Sequence, residues 1–211
     1  QENRILVKYG LKGLENVSNL GLAKLLEKCR LKNRAVTVGD VGFRIAPRIN
    51  AAGRLGEAEA AVRLFSAGTE SEAETIVSQL DKFNSKRQKI EEKIVKQAKE
   101  KIISRSLDKK HRILVLGCEQ WHRGVIGIVA SKLKDFFYRP VLLFSYEDGR
   151  AFGSGRSIPE FSLIECLENN SRFFTNFGGH THAVGCELPL SISSVLNIPF
   201  KEYKRGVHPE E

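Results

Sequence analysis

Residues 113–144 read ILVLGCEQWHRGVIGIVASKLKDFFYRPVLLF and change periodicity twice. Ile113 to Leu116 and Pro140 to Phe144 are apolar runs of strand length, whereas Val125 to Phe137 has the apolar spacing of a helix. Strands that alternate with helices predict a sheet covered by helices. The stretch therefore indicates an α/β fold.

The chain after this stretch continues the same pattern. Asp148-Gly149 is typical of a two-residue hairpin turn, and Ala151 to Ser154 would be the returning strand. Phe161 to Leu167 suits a further helix, and Val184 to Leu188 suits a last strand. We therefore expect a small mixed sheet covered by helices.

The chain before this stretch is predicted to be mainly helical. Leu20 to Leu26 and Ala58 to Phe65 suit short helices. Residues 69–104 contain no Gly or Pro and open with Thr69 and Glu72 at capping-box spacing. They carry residues at intervals of three or four, apolar apart from one Arg: Leu80, Phe83, Arg87, Ile90, Ile94, Ala98 and Ile102. A long helix connecting two domains is favoured, and a self-associating coiled coil is the alternative.

Composition restricts the class of protein. The 211 residues carry a formal net charge of +9, which favours an anionic partner such as nucleic acid, although a basic surface that serves solubility would give the same count. No apolar run approaches the ~20 residues that cross a bilayer, so a membrane protein is not expected. The absence of Met suggests that the chain begins inside a longer protein.

The sequence shows neither a zinc site nor a cluster of metal-binding carboxylates. The four Cys form no C-x-x-C pair, and together with an N-terminus that lacks a signal region they favour a reducing cytoplasm. The Asp residues are widely scattered, whereas two-metal phosphodiester hydrolysis needs several carboxylates that converge. We expect no metal to be held by these residues.

The first of four clusters that could bind a ligand is RIAPRINAAGR, residues 44–54. Its composition predicts a rigid loop presenting guanidinium groups, which make bidentate hydrogen bonds to phosphate or carboxylate. Arg48, Asn50 and Arg54 are the candidate ligands. The alternative is that some of these Arg pair with local acids such as Asp40, and we expect at least one to be structural.

The second cluster, residues 121–127, follows a predicted strand and opens a predicted helix. Backbone N–H groups at the start of a helix can hold an anion. Trp121 could stack on a base, although a lone Trp is more often a packing residue. His122 is the other candidate contact in this cluster.

The third and fourth clusters are rich in Gly. In Gly153 to Ser157, Ser154 and Arg156 can donate to phosphate and the small residues let the backbone approach a ligand; a plain turn leaving a strand is the alternative. In Gly178-Gly179-His180, the paired glycines predict a tight turn that aims His180 into a cleft. Its imidazole could donate to phosphate or transfer a proton.

Together these clusters resemble the signatures of RecJ-type nucleases within the DHH phosphoesterases. Residues 43–55 resemble an element specific to the RecJ branch, and residues 80–91 resemble its connector helix. Residues 121–130, 153–157 and 178–180 resemble motifs of the DHH-associated domain, DHHA1. The Gly-Gly-His element alone would be shared by many DHH phosphoesterases.

The resemblance implies a 5′-to-3′ exonuclease specific for single-stranded DNA, acting in repair and recombination, with Mn²⁺ or Mg²⁺ held by a DHH domain outside this chain. It implies a 5′-phosphate pocket of Ser154 and Arg156 with Arg48 or Arg54, and it places His180 opposite the scissile phosphate as the catalytic candidate. The other substrate-binding candidates are Asn50, Trp121, His122, Gly155, Ser157, Gly178 and Gly179. On this reading the segment alone binds DNA weakly and does not cut it.

The resemblance also implies a domain division. Residues 1–68 would end the DHH catalytic domain, 69–104 would be the connector helix, 105–203 a DHHA1-like domain and 204–211 a loose tail. Three other functions share some of these features: a DHH phosphodiesterase for short RNA or cyclic dinucleotides, a non-catalytic single-strand-binding module, and the related domain of alanyl-tRNA synthetases, which lacks the first cluster.

Overall fold

A computed structural model of the chain describes residues 2–193. The chain divides between Lys89 and Ile90 into two compact units, and this division falls inside one long helix. The predicted tail, residues 204–211, lies outside the described residues.

The first unit is helical, as predicted. Its core joins Leu25, Leu64 and Leu80, all of which are fully buried. Its elements, in chain order, are α1 (Glu2–Gly13), α2 (Leu20–Lys28), α3 (Val38–Asp40), a π-helical turn (Val41–Ile45), α4 (Ala46–Arg54), α5 (Ala58–Ser66) and the first half of α6 (Glu70–Ser104).

The Arg-rich cluster lies in helix, so the prediction of a rigid loop there was wrong. The π-helical turn leads directly into α4. Pro47 lies in the first turn of α4, where its missing N–H has no intrahelical partner to lose. Pro47 and Gly53, which were interpreted as loop residues, therefore lie near the two ends of one short helix.

The long helix α6 is confirmed and has 35 residues, or about 50 Å at 1.5 Å per residue. The Thr69 Oγ1 atom accepts a hydrogen bond from the Glu72 backbone N–H at 3.2 Å, while the Glu72 carboxylate accepts one from Gly68 N–H at 3.0 Å. The predicted apolar stripe is buried at both ends of the helix, and two polar residues near its middle, Asn84 and Glu91, are also buried.

The second unit contains a five-stranded mixed sheet. The strand order is β1-β2-β3-β5-β4, in which β1 and β2 are parallel and the other neighbours are antiparallel. Its elements are α7 (Leu107–Lys110), β1 (Leu114–Cys118), α8 (Arg123–Phe137), β2 (Val141–Glu147), β3 (Arg150–Arg156), α9 (Leu163–Glu168), a 3₁₀ turn (Ser171–Phe173), β4 (Asn176–His180), β5 (Ala183–Pro189) and α10 (Leu190–Ser193).

Two turns set the order of the antiparallel strands. Asp148 and Gly149 connect β2 to β3 with φ of 47° and 73°, the left-handed backbone of the predicted two-residue hairpin. Thr181 and His182 connect β4 to β5. Gly178-Gly179-His180 is therefore the end of an edge strand, and the prediction of a tight turn at these residues was wrong.

The two faces of the sheet are covered by different helices. On one face, Val141 and Leu143 join the core formed with α8 and the second half of α6. On the other face, Leu142, Phe144 and Val184 pack against α9. Among residues 2–193, none of the helices is both long enough and apolar enough to cross a membrane.

Candidate phosphate-binding groove

The sheet face beneath α8 changes character from β2 to β3. On β2 it presents Val141 and Leu143, whose directly paired residues on β3 are Arg156 and Ser154. Because directly paired residues project on the same face, Ser154 and Arg156 point toward the α8 side, as does Phe152 two residues earlier. The face is therefore apolar over β2 and polar over β3.

Ser154 and Arg156 lie against the first turns of α8. A Cβ placed at Gly127 would lie 2.9 Å from Ser154 Oγ and 3.3 Å from an Arg156 Nη atom, so glycine at this position permits the close approach. The Arg156 Nη1 group donates to the Gly155 carbonyl at 2.7 Å and to Ser154 Oγ at 3.4 Å. The hydroxyl proton of Ser154 can then be donated to a ligand.

The first turn of α8 adds positive potential beside these two donors. The turn contains Arg123 and no acidic residue. His122 is the N-cap, and its Nδ1 atom accepts a hydrogen bond from the Gly124 backbone N–H at 3.1 Å. Since the N-terminal end of a helix attracts anions, the turn is electrostatically suited to a phosphate.

The residues beside Ser154 on the next two strands are glycines, which have no side chain. Gly185 on β5 pairs with Ser154, and Gly178 on β4 pairs with Gly185. A Cβ at either glycine would meet no atom within 4 Å, so the space above both is open. His180 is exposed at the end of β4, in the same cross-strand row as Arg156, with Ala183 between them. Two strand spacings separate the backbones of these residues, about 10 Å.

Ser154, Arg123, Gly178 and Gly185 line a groove of about 450 Å³, the size range of small-ligand sites, whereas Arg156, His122 and His180 are not among its lining residues. It contains two of the predicted site residues, Ser154 and Gly178. Its lining residues are Arg123, Ile126, Phe152, Gly153, Ser154, Asn176, Phe177, Gly178, Gly185, Cys186 and Glu187. The sequence analysis missed four of the side chains that could contact a ligand: Arg123, Phe152, Asn176 and Glu187.

Sequence patterns could have identified some of these four residues but not all of them. The period-2 alternation on β3 could have placed Phe152 on the same face as Ser154. Arg123 lies inside the second cluster and was not singled out. Asn176 and Glu187 become neighbours of Phe152 only through the pairing of β4 with β5 and of β5 with β3, which no sequence pattern indicated.

Trp121 is a core residue, which corrects its assignment as a base-stacking candidate. Its side chain is only 1% exposed. The indole Nε1–H donates to Gln97 Oε1 at 2.9 Å, and the Trp121 carbonyl accepts from Ser145 Oγ at 2.6 Å. The ring therefore packs beneath the end of α6 instead of facing a ligand.

Gly155 and Ser157 also have structural roles, in contrast to their assignment as ligand contacts. A Cβ at Gly155 would lie 2.7 Å from Val184 Cγ2 and 3.0 Å from Leu163 Cδ1, on the face that packs against α9. Ser157 is 5% exposed, and its hydroxyl donates to the Phe161 carbonyl at 2.7 Å. Both residues support β3 from the side opposite the groove.

The first unit holds the Arg-rich cluster by ion pairs. Arg44 donates to Asp40 at 3.1 Å, and the Nε atom of Arg48 donates to Asp81 at 2.9 Å. The expectation that at least one Arg is structural is confirmed, and the ion pair of Arg48 favours a structural role over a ligand role for it. Asn50 and Arg54 are exposed on α4 and remain candidates.

Asp40 anchors this cluster as an ionised carboxylate. Hydrogen bonds from the hydroxyl and backbone N–H of Thr37 hold the pKa of Asp40 well below its usual range, and the Arg44 and Arg34 guanidinium groups act in the same direction. The Asp40 carboxylate therefore stays charged at neutral pH and keeps Arg44 in place.

Cys166 and Cys186 are not suited to nucleophilic chemistry. Burial raises the pKa of the Cys166 thiol to about 11 and that of Cys186, which lines the groove, to about 12. Thiols with such values are protonated at neutral pH and react slowly. Cys186 is therefore not a candidate nucleophile in the groove.

Among residues 2–193, no three His, Cys, Asp or Glu side chains lie close enough together to hold a metal ion. The carboxylate cluster that divalent-metal phosphodiester chemistry requires is thus not supplied by the described part of the chain. The residues of the groove suit the binding of an anion and do not suit the coordination of Mn²⁺ or Mg²⁺.

Comparison with known proteins shows which family the second unit resembles. Residues 110–197 match the DHHA1 domain model. The chain is 38% identical over 189 residues to the single-stranded-DNA-specific exonuclease RecJ of Bacillus subtilis, covering 89% of this chain and 24% of that protein. It is 35% identical over 195 residues to the RecJ of Escherichia coli, covering 88% of this chain and 34% of that protein.

Solved structures show the same similarity. The crystal structure of RecJ from Thermus thermophilus in complex with Mn²⁺ matches with a TM-score of 0.81 and 35% identity, covering 94% of this chain and 29% of that chain. A crystal structure of exonuclease RecJ bound to manganese matches with a TM-score of 0.74 and 35% identity, covering 94% of this chain and 48% of that chain. The chain thus spans about a quarter to a third of the length of the two RecJ proteins compared above.

Proposed function

Because this chain is RecJ-like over nearly its whole length and contains a DHHA1 domain, we propose that it is the substrate-binding segment of a single-stranded-DNA-specific exonuclease. The enzyme would remove nucleotides from the 5′ end during DNA repair and recombination. Residues 1–68 would end its catalytic domain, α6 would be the connector and residues 105–203 the DHHA1 domain. With four free cysteines, a reducing cytoplasm is the proposed compartment.

The observation that carries this proposal is the pairing of Ser154 and Arg156 beside the first turns of α8. A guanidinium group, a hydroxyl group and a helix N-terminus converge there without an acidic residue in that turn. Such groups complement the charge and the acceptor oxygens of a terminal phosphate. We assign Ser154 and Arg156 to the 5′-phosphate.

His180 is the proposed link to the reacting phosphate. Its exposed position at the end of β4 lets the imidazole reach a phosphate one residue or more along a strand that is anchored at Arg156. Mn²⁺ or Mg²⁺, present in the solved RecJ structures, would be held by residues outside those described here and would supply the activated water. This chain alone is therefore expected to bind DNA without cutting it.

Changing Arg156 to Ala is expected to remove the preference for a 5′-phosphorylated strand. A hydrogen bond to a charged group contributes about 1.5–3 kcal/mol, or about 10- to 100-fold in affinity. The measurement is equilibrium binding of the chain to 5′-phosphorylated and 5′-hydroxyl single strands, at two salt concentrations because backbone contacts weaken with salt.

The matched control for this experiment is Arg112→Ala. Arg112 is exposed and does not line the groove, so its loss removes the same charge from another part of the unit. The control should keep the phosphate preference. Equal binding of both strands by the unaltered chain, or an unchanged preference in Arg156→Ala, would contradict the assignment of the phosphate site.

A further inference from the structure

We propose that Arg123 and Phe152 form a stacking site for the base of the 5′-terminal nucleotide. This inference rests on the proposed function, because it requires the phosphate of the same nucleotide to be held at Ser154 and Arg156. It adds a second contact to the groove, one that recognises the flat face of a base and is therefore tolerant of sequence.

The geometry of the pair is that of a preformed platform. The Arg123 guanidinium carbon lies over the Phe152 ring, 3.7 Å from its centre, which is a cation–π contact. Both residues line the groove. A guanidinium plane that is held against an aromatic ring can stack a second flat group on its other face, and nucleobases are commonly bound on Arg planes and aromatic rings.

The position of Arg123 favours a ligand over a purely structural role. It is the first residue of α8, where a cation is disfavoured by the positive end of the helix. Within residues 2–193 its guanidinium group has no carboxylate partner, and its contact is with the Phe152 ring. A bound nucleotide would offset the repulsion between the Arg123 cation and the positive end of α8, since its phosphate brings negative charge to the same turn.

The spacing between the two sites matches one nucleotide. Phe152 and Ser154 project from the same face of β3 two residues apart, which separates them by about 7 Å. A phosphate at Ser154 and Arg156 therefore has the base of its own nucleotide within reach of Phe152. Gly185 and Gly178 leave the space next to Ser154 open, so the sugar meets no side chain at these two positions.

The far wall of the groove is polar but has little net negative charge. Asn176 and Glu187 lie in the same cross-strand row as Phe152. The Glu187 carboxylate accepts a hydrogen bond from Arg150 Nη1 at 2.8 Å, so its charge is compensated. The wall therefore does not repel DNA, and it offers hydrogen-bonding groups to the edge of a stacked base.

The chain contains a second pair of the same kind that serves as a control. The Arg172 guanidinium carbon lies 4.7 Å from the centre of the Phe173 ring, in the 3₁₀ turn, and neither residue lines the groove. Arg123→Lys and Arg172→Lys each keep the positive charge and remove the planar group. Both Arg residues are exposed, so neither change disturbs the core.

The experiment compares two 5′-phosphorylated single strands, identical except that one lacks the base of its first nucleotide. In the unaltered chain, removing that base should weaken binding about tenfold, the usual scale of one stacked base. In Arg123→Lys the two strands should bind within about twofold of each other. Arg172→Lys should keep the tenfold difference, and Phe152→Leu, with its fold checked by circular dichroism, should behave like Arg123→Lys.

The outcomes separate this inference from the proposed function. Equal binding of the two strands by the unaltered chain, or a tenfold difference that persists in Arg123→Lys, would overturn the base site while leaving the phosphate site intact. If the unaltered chain bound 5′-phosphorylated and 5′-hydroxyl strands equally, the phosphate site itself would be contradicted. The base site, which depends on it, would then be contradicted as well.

Discussion

Replacing Trp121 by Ala is expected to lower the free energy of unfolding of the second unit by about 3–5 kcal/mol. The indole is 1% exposed and belongs to the core that joins α8, the sheet and the end of α6. Its removal leaves a cavity and also leaves the Gln97 side chain without its donor. Chemical denaturation followed by circular dichroism at 222 nm measures the loss.

A second variant separates the core role of Trp121 from a DNA role. Trp121→Phe keeps most of the buried apolar area and loses the hydrogen bond to Gln97, so it should cost about 1–2 kcal/mol. Its affinity for a 5′-phosphorylated single strand should equal that of the unaltered chain. A tenfold loss of affinity in a stably folded Trp121→Phe would show that the ring does meet a base.

Changing Gly179 to Ala is expected to destabilise the second unit by about 2–4 kcal/mol, the combined scale of backbone strain and overpacking. Gly179 has a φ of 144°, and a Cβ there would clash with the Ala183 carbonyl and lie 2.7 Å from Val184 Cα. The methyl group therefore cannot be accommodated while β4 stays paired with β5. Thermal unfolding and hydrogen exchange of β4 amides should both report the loss.

Gly178→Ala is the matched control for the Gly179 change. A Cβ at Gly178 meets no atom within 4 Å, so its stability should change by less than about 1 kcal/mol. Its methyl group would instead occupy the open floor of the groove and weaken DNA binding. Equal destabilisation by the two changes would mean that the β4–β5 pairing does not depend on the backbone of Gly179.

Periodicity predicted most of the fold correctly. The strands β1, β2 and β5 and the helices α6 and α8 were predicted from apolar runs and spacing, α5 from its Ala-rich composition, and β3 as the strand that returns from the Asp148-Gly149 hairpin turn. The edge strand β4 was missed because Gly178-Gly179 is typical of a turn, whereas here Gly179 permits the close approach of β5 and Gly178 faces open space. The Arg-rich helix α4 was missed because Pro47 and Gly53 are typical of loops. In the structure they lie near the two ends of the helix, where both residues are tolerated.

The candidate site was predicted less completely, since it depends on pairing across strands. Ser154 and Arg156 were found from their chemistry, and their proximity to Gly127 required the fold. Trp121 was misassigned because sequence alone does not distinguish a buried aromatic ring from a ligand-stacking one. Arg123 and Phe152 lie 29 positions apart in the chain and carry no joint signal until α8 crosses β3.

The alternation along β3 divides the strand into two sets of positions with different tolerance to substitution. A side chain at Gly153 would collide with Cys186 and Phe144, and one at Gly155 would crowd Val184, so the fold excludes other residues at both. Phe152, Ser154 and Arg156 project from the face on the α8 side, where the ligand of the proposed site would constrain them instead. Substrate preference could therefore change in evolution through substitutions in the second set, without repacking of the sheet. Saturation mutagenesis of β3, scored separately for folding and for DNA binding, should show folding defects at the first set and binding defects at the second.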